Sequence, residues 1–284
     1  MRGSARAPGA GTVLNALANH RGSAFAIDAH TTAEVELEAE AEGVRGTIEG
    51  APDADTRLIE RCVERVVDAH GDGEGGRVRT ESELPMAAGL KSSSAAANAT
   101  VLATLEALDA TNAVDRLDAC RTGVEAARDV GVTATGAFDD ASASMLGGVT
   151  VTDNDADELL AHESVEWNVL VWTPPERAYS ADADVERCRR IAPVADFIAE
   201  TVLAGRYAEA MTINGFAFCA ALGFSAEPLV EALPEAAGVS LSGTGPSVTA
   251  IGTGDALADI EARWAEREGM TWVTTTDTAG ARPA

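Results

Sequence analysis

The chain is almost without lysine: 20 of its 21 basic residues are arginine, and Lys91 is the exception. Positive charge is scarce altogether, since 46 acidic residues against 21 basic ones leave a net charge of -25. Such a surface repels polyphosphate, which argues against a nucleic-acid partner. Cysteine is equally thin. Cys62, Cys120, Cys188 and Cys219 are scattered with no CxxC pair, so neither a zinc site nor a disulfide framework is expected, and all four read as small buried hydrophobes. No run approaches the roughly 18 uncharged apolar residues of a membrane span. The opening stretch MRGSARAPGAGTVL has no long apolar core of a secretion signal. A cytoplasmic protein with no membrane partner is the expectation.

What is present suffices for about two domains, since 46 % of the 284 residues are hydrophobic and can bury sizeable cores. The carboxylates are spread along the whole chain rather than massed in a tail. That distribution fits adaptation to very high salt, where screening over about 3 Å at 1 M suppresses repulsion between solvated carboxylates. An acidic face for a basic partner is the other reading. A sequence that replaces lysine everywhere else yet keeps Lys91 inside a Gly/Ser loop points to a position that wants a compact ammonium.

Residues 31–40, TTAEVELEAE, alternate strictly, with Ala33, Val35, Leu37 and Ala39 on one face and four glutamates on the other, as in a half-solvated strand. After Asp55, TRLIERCVERVVDAH places Leu58, Ile59, Cys62, Val63, Val66 and Val67 at helical spacing. A Gly-rich loop, a short strand and a long Ala-rich helix follow, and Asp115 opens another helix to about Asp129. Near the start, RAPGAGTVLNALANHRGSAFAID reads as a Gly-rich turn leading through Asn15 to a second turn at His20–Ser23. A strand is expected at 147–152, then a soft domain boundary at Asn154, Asp155 and Asp157 that divides the chain into residues 1–153 and 154–284. Beyond it come the strand NVLVWTPP, helices within 181–233, and strand, helix and strand to the end. Helices covering one face of a mixed or antiparallel sheet make this an α+β fold. His20, His30, His70 and His162 show no ligand spacing and are expected at exposed or loop positions.

Four segments could carry chemistry: RAPGAGTVLNALANHRGSAFAID, weak on its own, and three more. PMAAGLKSSSA opens the long helix: its small residues let backbone N–H groups turn around an anion, the helix start adds about half a positive charge, and the hydroxyls of Ser92, Ser93 and Ser94 can reach phosphate or Mg2+. It is not a Walker loop, because Leu90 separates Gly89 from Lys91. An ordinary helix with Ser caps is the plainer alternative. In TGAFDDASAS, Asp139 and Asp140 lie among small residues beside Phe138. Adjacent carboxylates in apolar surroundings imply a metal, a Lys or Arg, or a substrate hydroxyl, although an Asp here also suits an N-cap. In LSGTGPSVTAIG, Gly243 and Gly245 permit backbone conformations closed to other residues, either toward a ligand or in a tight turn before a strand.

Together and in this order the segments resemble the GHMP family of small-molecule kinases, named for galactokinase, homoserine kinase, mevalonate kinase and phosphomevalonate kinase. PMAAGLKSSSA is similar to the family's phosphate loop and LSGTGPS to its C-terminal glycine motif, and the resemblance runs from Ala7 to about Thr276. GLKSSSAAANA with TGAFDDASAS is most similar to the archaeal branch that phosphorylates shikimate. The resemblance implies ATP-dependent transfer of phosphate to the 3-hydroxyl of shikimate, with homoserine or mevalonate as the acceptor in the neighbouring reading. It implies an N-terminal domain like ribosomal protein S5 domain 2, a ferredoxin-like C-terminal domain, and a site between them.

On that resemblance Pro85, Met86, Ala87, Ala88, Gly89, Leu90, Lys91, Ser92, Ser93, Ser94 and Ala95 would wrap the ATP phosphates, and Gly243, Thr244 and Gly245 would approach from the other domain. Ser93 stands where family members hold Mg2+, and Glu125 falls near the family's Glu ligand. Asp139 aligns with the Asp that pairs with the acceptor hydroxyl, and a one-residue slip would exchange it with Asp140. ARAPGAGTVLNAL lacks the lysine that mevalonate-type members carry beside that Asp, so Lys91 or an arginine must supply the charge. A catalytically silent nucleotide-binding module is a further reading, and two carboxylates near the loop speak against it.

Overall fold

The computed structural model describes residues 1–133, 137–178 and 182–284. Thr135 and Gly136 of the TGAFDDASAS segment, and Ala181 at the start of the expected helical stretch, lie outside the described residues.

The chain opens with β1 (Arg2–Leu14) and β2 (Arg21–Glu38), a long antiparallel hairpin joined by residues 15–20. The expected Gly-rich turn is therefore strand, and the expected turn at His20–Ser23 already contains the start of β2. Glycine here serves close packing. A Cβ on Gly9 would lie 2.6 Å from a Leu84 methyl, and one on Gly11 would lie 2.3 Å from the Phe25 ring. The alternating stretch forms the second half of β2 with Ala33, Val35 and Leu37 buried, but the strand ends at Glu38 and Ala39 is exposed in the turn beyond it. Next come β3 (Val44–Ile48) and α1 (Arg57–His70), whose buried face is Leu58, Ile59, Cys62, Val63, Val66 and Val67. Each fully buried aliphatic of this kind contributes roughly 1.5–3 kcal/mol.

β4 (Gly75–Ser82) leads into α2 (Ser92–Ala107) and α3 (Arg116–Asp129). Asp115 caps α3, its carboxylate accepting from the N–H groups of Leu117 and Asp118. Then follow α4 (Phe138–Leu146) and the hairpin of β5 (Val149–Asp153) and β6 (Glu158–Glu163). The remainder is β7 (Asn168–Thr173), α5 (Val185–Arg189), α6 (Ala192–Leu203), α7 (Tyr207–Leu222), α8 (Glu227–Ala232), β8 (Gly238–Leu241), β9 (Val248–Gly252), α9 (Gly254–Trp264), β10 (Met270–Thr275) and β11 (Arg282–Pro283).

Seven strands make the first sheet, ordered β11-β1-β2-β4-β3, with β5 on β2 and β6 on β5. β2 is long enough to pair with β4 through residues 31–38 and with β5 through residues 21–25. The expected boundary between residues 153 and 154 falls in the β5–β6 turn, and both of those strands belong to the first sheet. The second sheet is antiparallel in the order β10-β7-β9-β8, the ferredoxin-like arrangement. The core is continuous between them: Phe25 on β2 meets Trp167 edge-on with ring centroids 5.5 Å apart.

α2 lies directly on β1, so close that a Cβ on Gly3 would be 2.1 Å from the Ala103 carbonyl. That approach carries the start of the helix, and with it the phosphate-loop candidate, to the seam between the two sheets. The four cysteines are free and buried, as expected. His30 departs from expectation. It is buried, with Nε2 3.0 Å from Asp277 Oδ2, and Arg282 reaches the same carboxylate at 3.0 Å. Although burial opposes its charge, Asp277 stays below the usual carboxylate range because His30, the Gly280 N–H and Arg282 all bond it. Among the described residues no helix is long and apolar enough to cross a membrane.

Candidate active site

The loop before α2 passes three times through left-handed backbone, with φ 55° at Ala87, 81° at Gly89 and 65° at Lys91. Gly89 has no alternative, because a Cβ there would lie 2.2 Å from the Ser242 carbonyl oxygen. Neighbours hold the shape: the Ala178 N–H donates to Ala87 O at 2.9 Å, Ser242 Oγ to Gly89 O at 2.8 Å, and the Ala10 N–H to Leu90 O at 3.2 Å. The N-cap of α2 is Lys91, which makes no side-chain cap. The reading of this segment as Ser-capped helix therefore fails, and the first N–H groups of α2 are left to meet an anion.

They open onto a cavity of about 690 Å³. Met86, Ala87, Gly89, Lys91 and Ser92–Ser94 line it from the loop, and Gly243 and Thr244 from the second half of the chain. Ala88, Leu90 and Ala95 are packed beneath the loop in the core, Pro85 stands off the lining, and Gly245 backs onto Phe224. Ile48, Leu58 and Ile59 also line it, as do Asn15, Leu17, Asp139 and Asp140.

The sole lysine meets a carboxylate. Lys91 Nζ lies 2.6 Å from Asp140 Oδ1, with the two side chains 7 % and 16 % exposed. The ammonium also sits over Gly243, where a Cβ would approach it to 2.8 Å. Asp139 is held differently. Asn154 Nδ2 donates to Asp139 Oδ1 at 2.7 Å, while Asn154 Oδ1 accepts from the Asp139 N–H at 3.1 Å and the Thr152 hydroxyl at 2.8 Å. Gly22 closes over it, for a Cβ there would lie 2.5 Å from the carboxyl carbon. Burial and then the Asp140 charge push the Asp139 carboxyl up to about 7, against the pull of Lys91 and Asn154.

Glu125 is not brought to this cavity. On α3 the residues Gly123, Val124 and Ala127 share the inward face, and Glu125 points away to pair with Arg65 at 2.5 Å. Three asparagines to which the sequence assigned no role build the site instead, Asn15 alone lying in a segment singled out for chemistry. Asn15 Nδ2 donates to Gly243 O at 2.7 Å, the Asn15 N–H donates to Asn214 Oδ1 at 2.9 Å, and Thr12 Oγ1 accepts from the Gly243 N–H at 2.8 Å. Asn214, buried in the otherwise apolar MTINGFAF, was the one legible signal; Asn15 and Asn154 read only as loop residues.

Residues 57–148 match the model of the GHMP kinases N terminal domain. Among solved structures, the whole chain superposes on homoserine kinase from Cytophaga hutchinsonii with a TM-score of 0.77, covering 97 % of that chain at 19 % identity. The two-sheet fold is that of the GHMP small-molecule kinases, and the chain belongs to the GHMP kinase family, whose members use ATP. Curated relatives narrow the placement. The chain is 62 % identical over 282 residues to a shikimate kinase of Halobacterium salinarum, 99 % of each chain being covered. It is 48 % identical over 284 residues to one of Methanosarcina mazei, covering 99 % of this chain and 96 % of the relative. Its place is in the archaeal shikimate kinase branch of the family.

Proposed function

We propose that this chain transfers the γ-phosphoryl group of ATP to the 3-hydroxyl of shikimate, releasing ADP and a proton, as a cytoplasmic enzyme of aromatic amino acid synthesis. The observation that carries the reading is the convergence, on one cavity, of an anion-cradling helix start, the single lysine and two adjacent carboxylates, one buried and one half-buried. Met86–Ser94 and the α2 N–H groups hold the nucleotide phosphates, with Gly243 and Thr244 facing them from the other side. Shikimate lies against Asn15, Leu17, Asp139 and Asp140 of the lining. Asp139, the carboxyl raised toward neutrality, accepts the hydroxyl proton, since a base is most effective when its pKa lies near the working pH. Lys91, aimed by Asp140, places positive charge where the transferring phosphoryl group develops negative charge.

Mg2+ takes hard oxygen donors and keeps phosphate oxygens and waters. The hydroxyls at the start of α2 fit that chemistry, with Ser93 exposed to the cavity, whereas Glu125 does not. Mg2+ bound there with the nucleotide supplies charge neutralisation on the phosphates. A second reading exchanges the two aspartates, and the pairing of Lys91 with Asp140 rather than Asp139 favours it. In that case Asp140→Asn abolishes turnover and Asp139→Asn does not.

The test is ADP release by the purified protein at roughly molar KCl with Mg-ATP and, separately, shikimate, homoserine and mevalonate. Turnover with shikimate alone is expected. Turnover with another of the three reassigns the substrate, and none with any of them, in folded protein that binds ATP, overturns the kinase reading.

A further inference from the structure

We infer that Asn154 is a positioning residue of the transfer site, its side-chain amide fixing the Asp139 carboxyl in the orientation that meets the acceptor hydroxyl. The inference rests on the reading of Asp139 above.

Asn154 is 2 % exposed and lies in the β5–β6 turn, which is clamped from several sides. Its N–H donates to His20 O at 2.8 Å, and His20 Nδ1 lies 2.9 Å from Asp155. From α3, Arg128 makes two bonds to the Asp157 carboxylate at 2.5 and 2.7 Å and reaches Asn154 O at 3.4 Å. Arg121 reaches Asp157 O at 3.3 Å. A solvent turn joining two strands has no need of two arginines and a histidine. This one presents a single amide to a single carboxyl.

The amide orientation follows from its partners. Its oxygen faces two donors, the Asp139 N–H and the Thr152 hydroxyl, so Nδ2 must face Asp139 Oδ1. Among the described residues Asn154 is the one side chain that donates to the Asp139 carboxyl, which is otherwise favoured only by the neighbouring Asp140 N–H and the Lys91 charge. The charged groups facing Asp139 are Asp140 on its own helix and Lys91 from the phosphate loop; β2 presents Gly22, and β5 presents Thr150 and Thr152. Asn154 is thus the neutral donor that holds the carboxyl still without adding charge.

The experiment uses the full-length protein in molar KCl with three variants: Asn154→Asp, Asp139→Asn and the exchanged pair D139N/N154D. Asn154→Asp keeps the shape and turns the donor into a second carboxylate, so kcat falls by up to about 100-fold at pH 7. KM for ATP holds, and the acid limb of the pH profile moves to higher pH because Asp139 loses the donor that favours its charged form. The exchanged pair re-forms an amide–carboxylate bond with the partners swapped. It melts close to the parent while kcat stays as low as in Asp139→Asn, which separates supporting the fold from aiming the carboxyl. If Asn154→Asp does not fold, Asn154→Ser carries the same kcat, KM and pH readouts. Unchanged kcat and pH limb, or loss of ATP affinity in proportion to kcat, overturns the inference while an impaired Asp139→Asn leaves the reading of Asp139 standing. A fully active Asp139→Asn overturns that reading itself.

Discussion

Asp139 and Lys91 are each held in surroundings that water would not give them, and both leave a measurable trace. An unfolded Asp titrates near about 3.9, whereas burial raises the folded Asp139 to about 7. Between those values the folded protein binds the extra proton. Stability from this group therefore falls as pH rises through the window and levels off above it. Asp139→Asn removes that loss, so calorimetry should show a higher Tm for the variant at pH 8, by several degrees, and no gain at pH 4. The same variant should lose roughly 100-fold or more in kcat while binding ATP normally, which isothermal titration and ADP release together check. Lys91→Met leaves the Asp140 carboxylate without its partner, at the low end of the roughly 3–5 kcal/mol for breaking a buried pair. Adding Asp140→Asn should recover most of that stability in a chemical melt, and none of the activity. The importance of Lys91 was legible because no other lysine exists, and the acidic pair was legible from its apolar neighbours. Which aspartate meets Lys91 was not, because neighbouring residues on a helix point about 100° apart and only the packed neighbours select the face.

At the scale of elements, the phosphate loop depends on backbone more than on side chains. Gly89→Ala would set a methyl group against the Ser242 carbonyl in a conformation that disfavours L residues. The expected result is a KM for ATP raised at least about tenfold with a lower Tm, read from initial rates and thermal melts. The buried face of α1 was readable to the residue, since its apolar side chains are large and spaced at the helical period on a solvated helix, although Thr56 rather than Asp55 stands at the N-cap. β1 was not. Its inner face is built from Ala and Gly so that α2 can lie on it, and residues that small carry no alternation to read. Glu125 shows the opposite failure: counting along the chain brings it near the motif, but a helix face decides whether it arrives, and Gly123, Val124 and Ala127 occupy the inward one.

The molecule as a whole carries a net charge of -25, and many of its arginines are committed to neighbouring carboxylates, as Arg61 and Arg65 are to Asp129. Repulsion among the remaining carboxylates is long-ranged in dilute buffer and shrinks to about 3 Å at 1 M salt. Urea midpoints followed by circular dichroism should therefore rise steeply between 0.1 and roughly 2 M KCl. The α+β class and the order of motifs could be read from composition and pattern, but the return of β5 to β2 across more than a hundred residues could not, because strand pairing at that distance leaves no local mark. We propose that the two units divide after β6 rather than between residues 153 and 154, which keeps six of the first sheet's seven strands together, with β11 returning to β1 from the far end of the chain. The lone lysine has a practical side. Amine-directed reagents, the common means of tethering a protein to a surface or hanging a dye on it, find one side-chain target in this sequence, and it lies under the glycine loop beside Asp140. Coupling at that side chain reports on the occupancy of the cavity rather than decorating the surface.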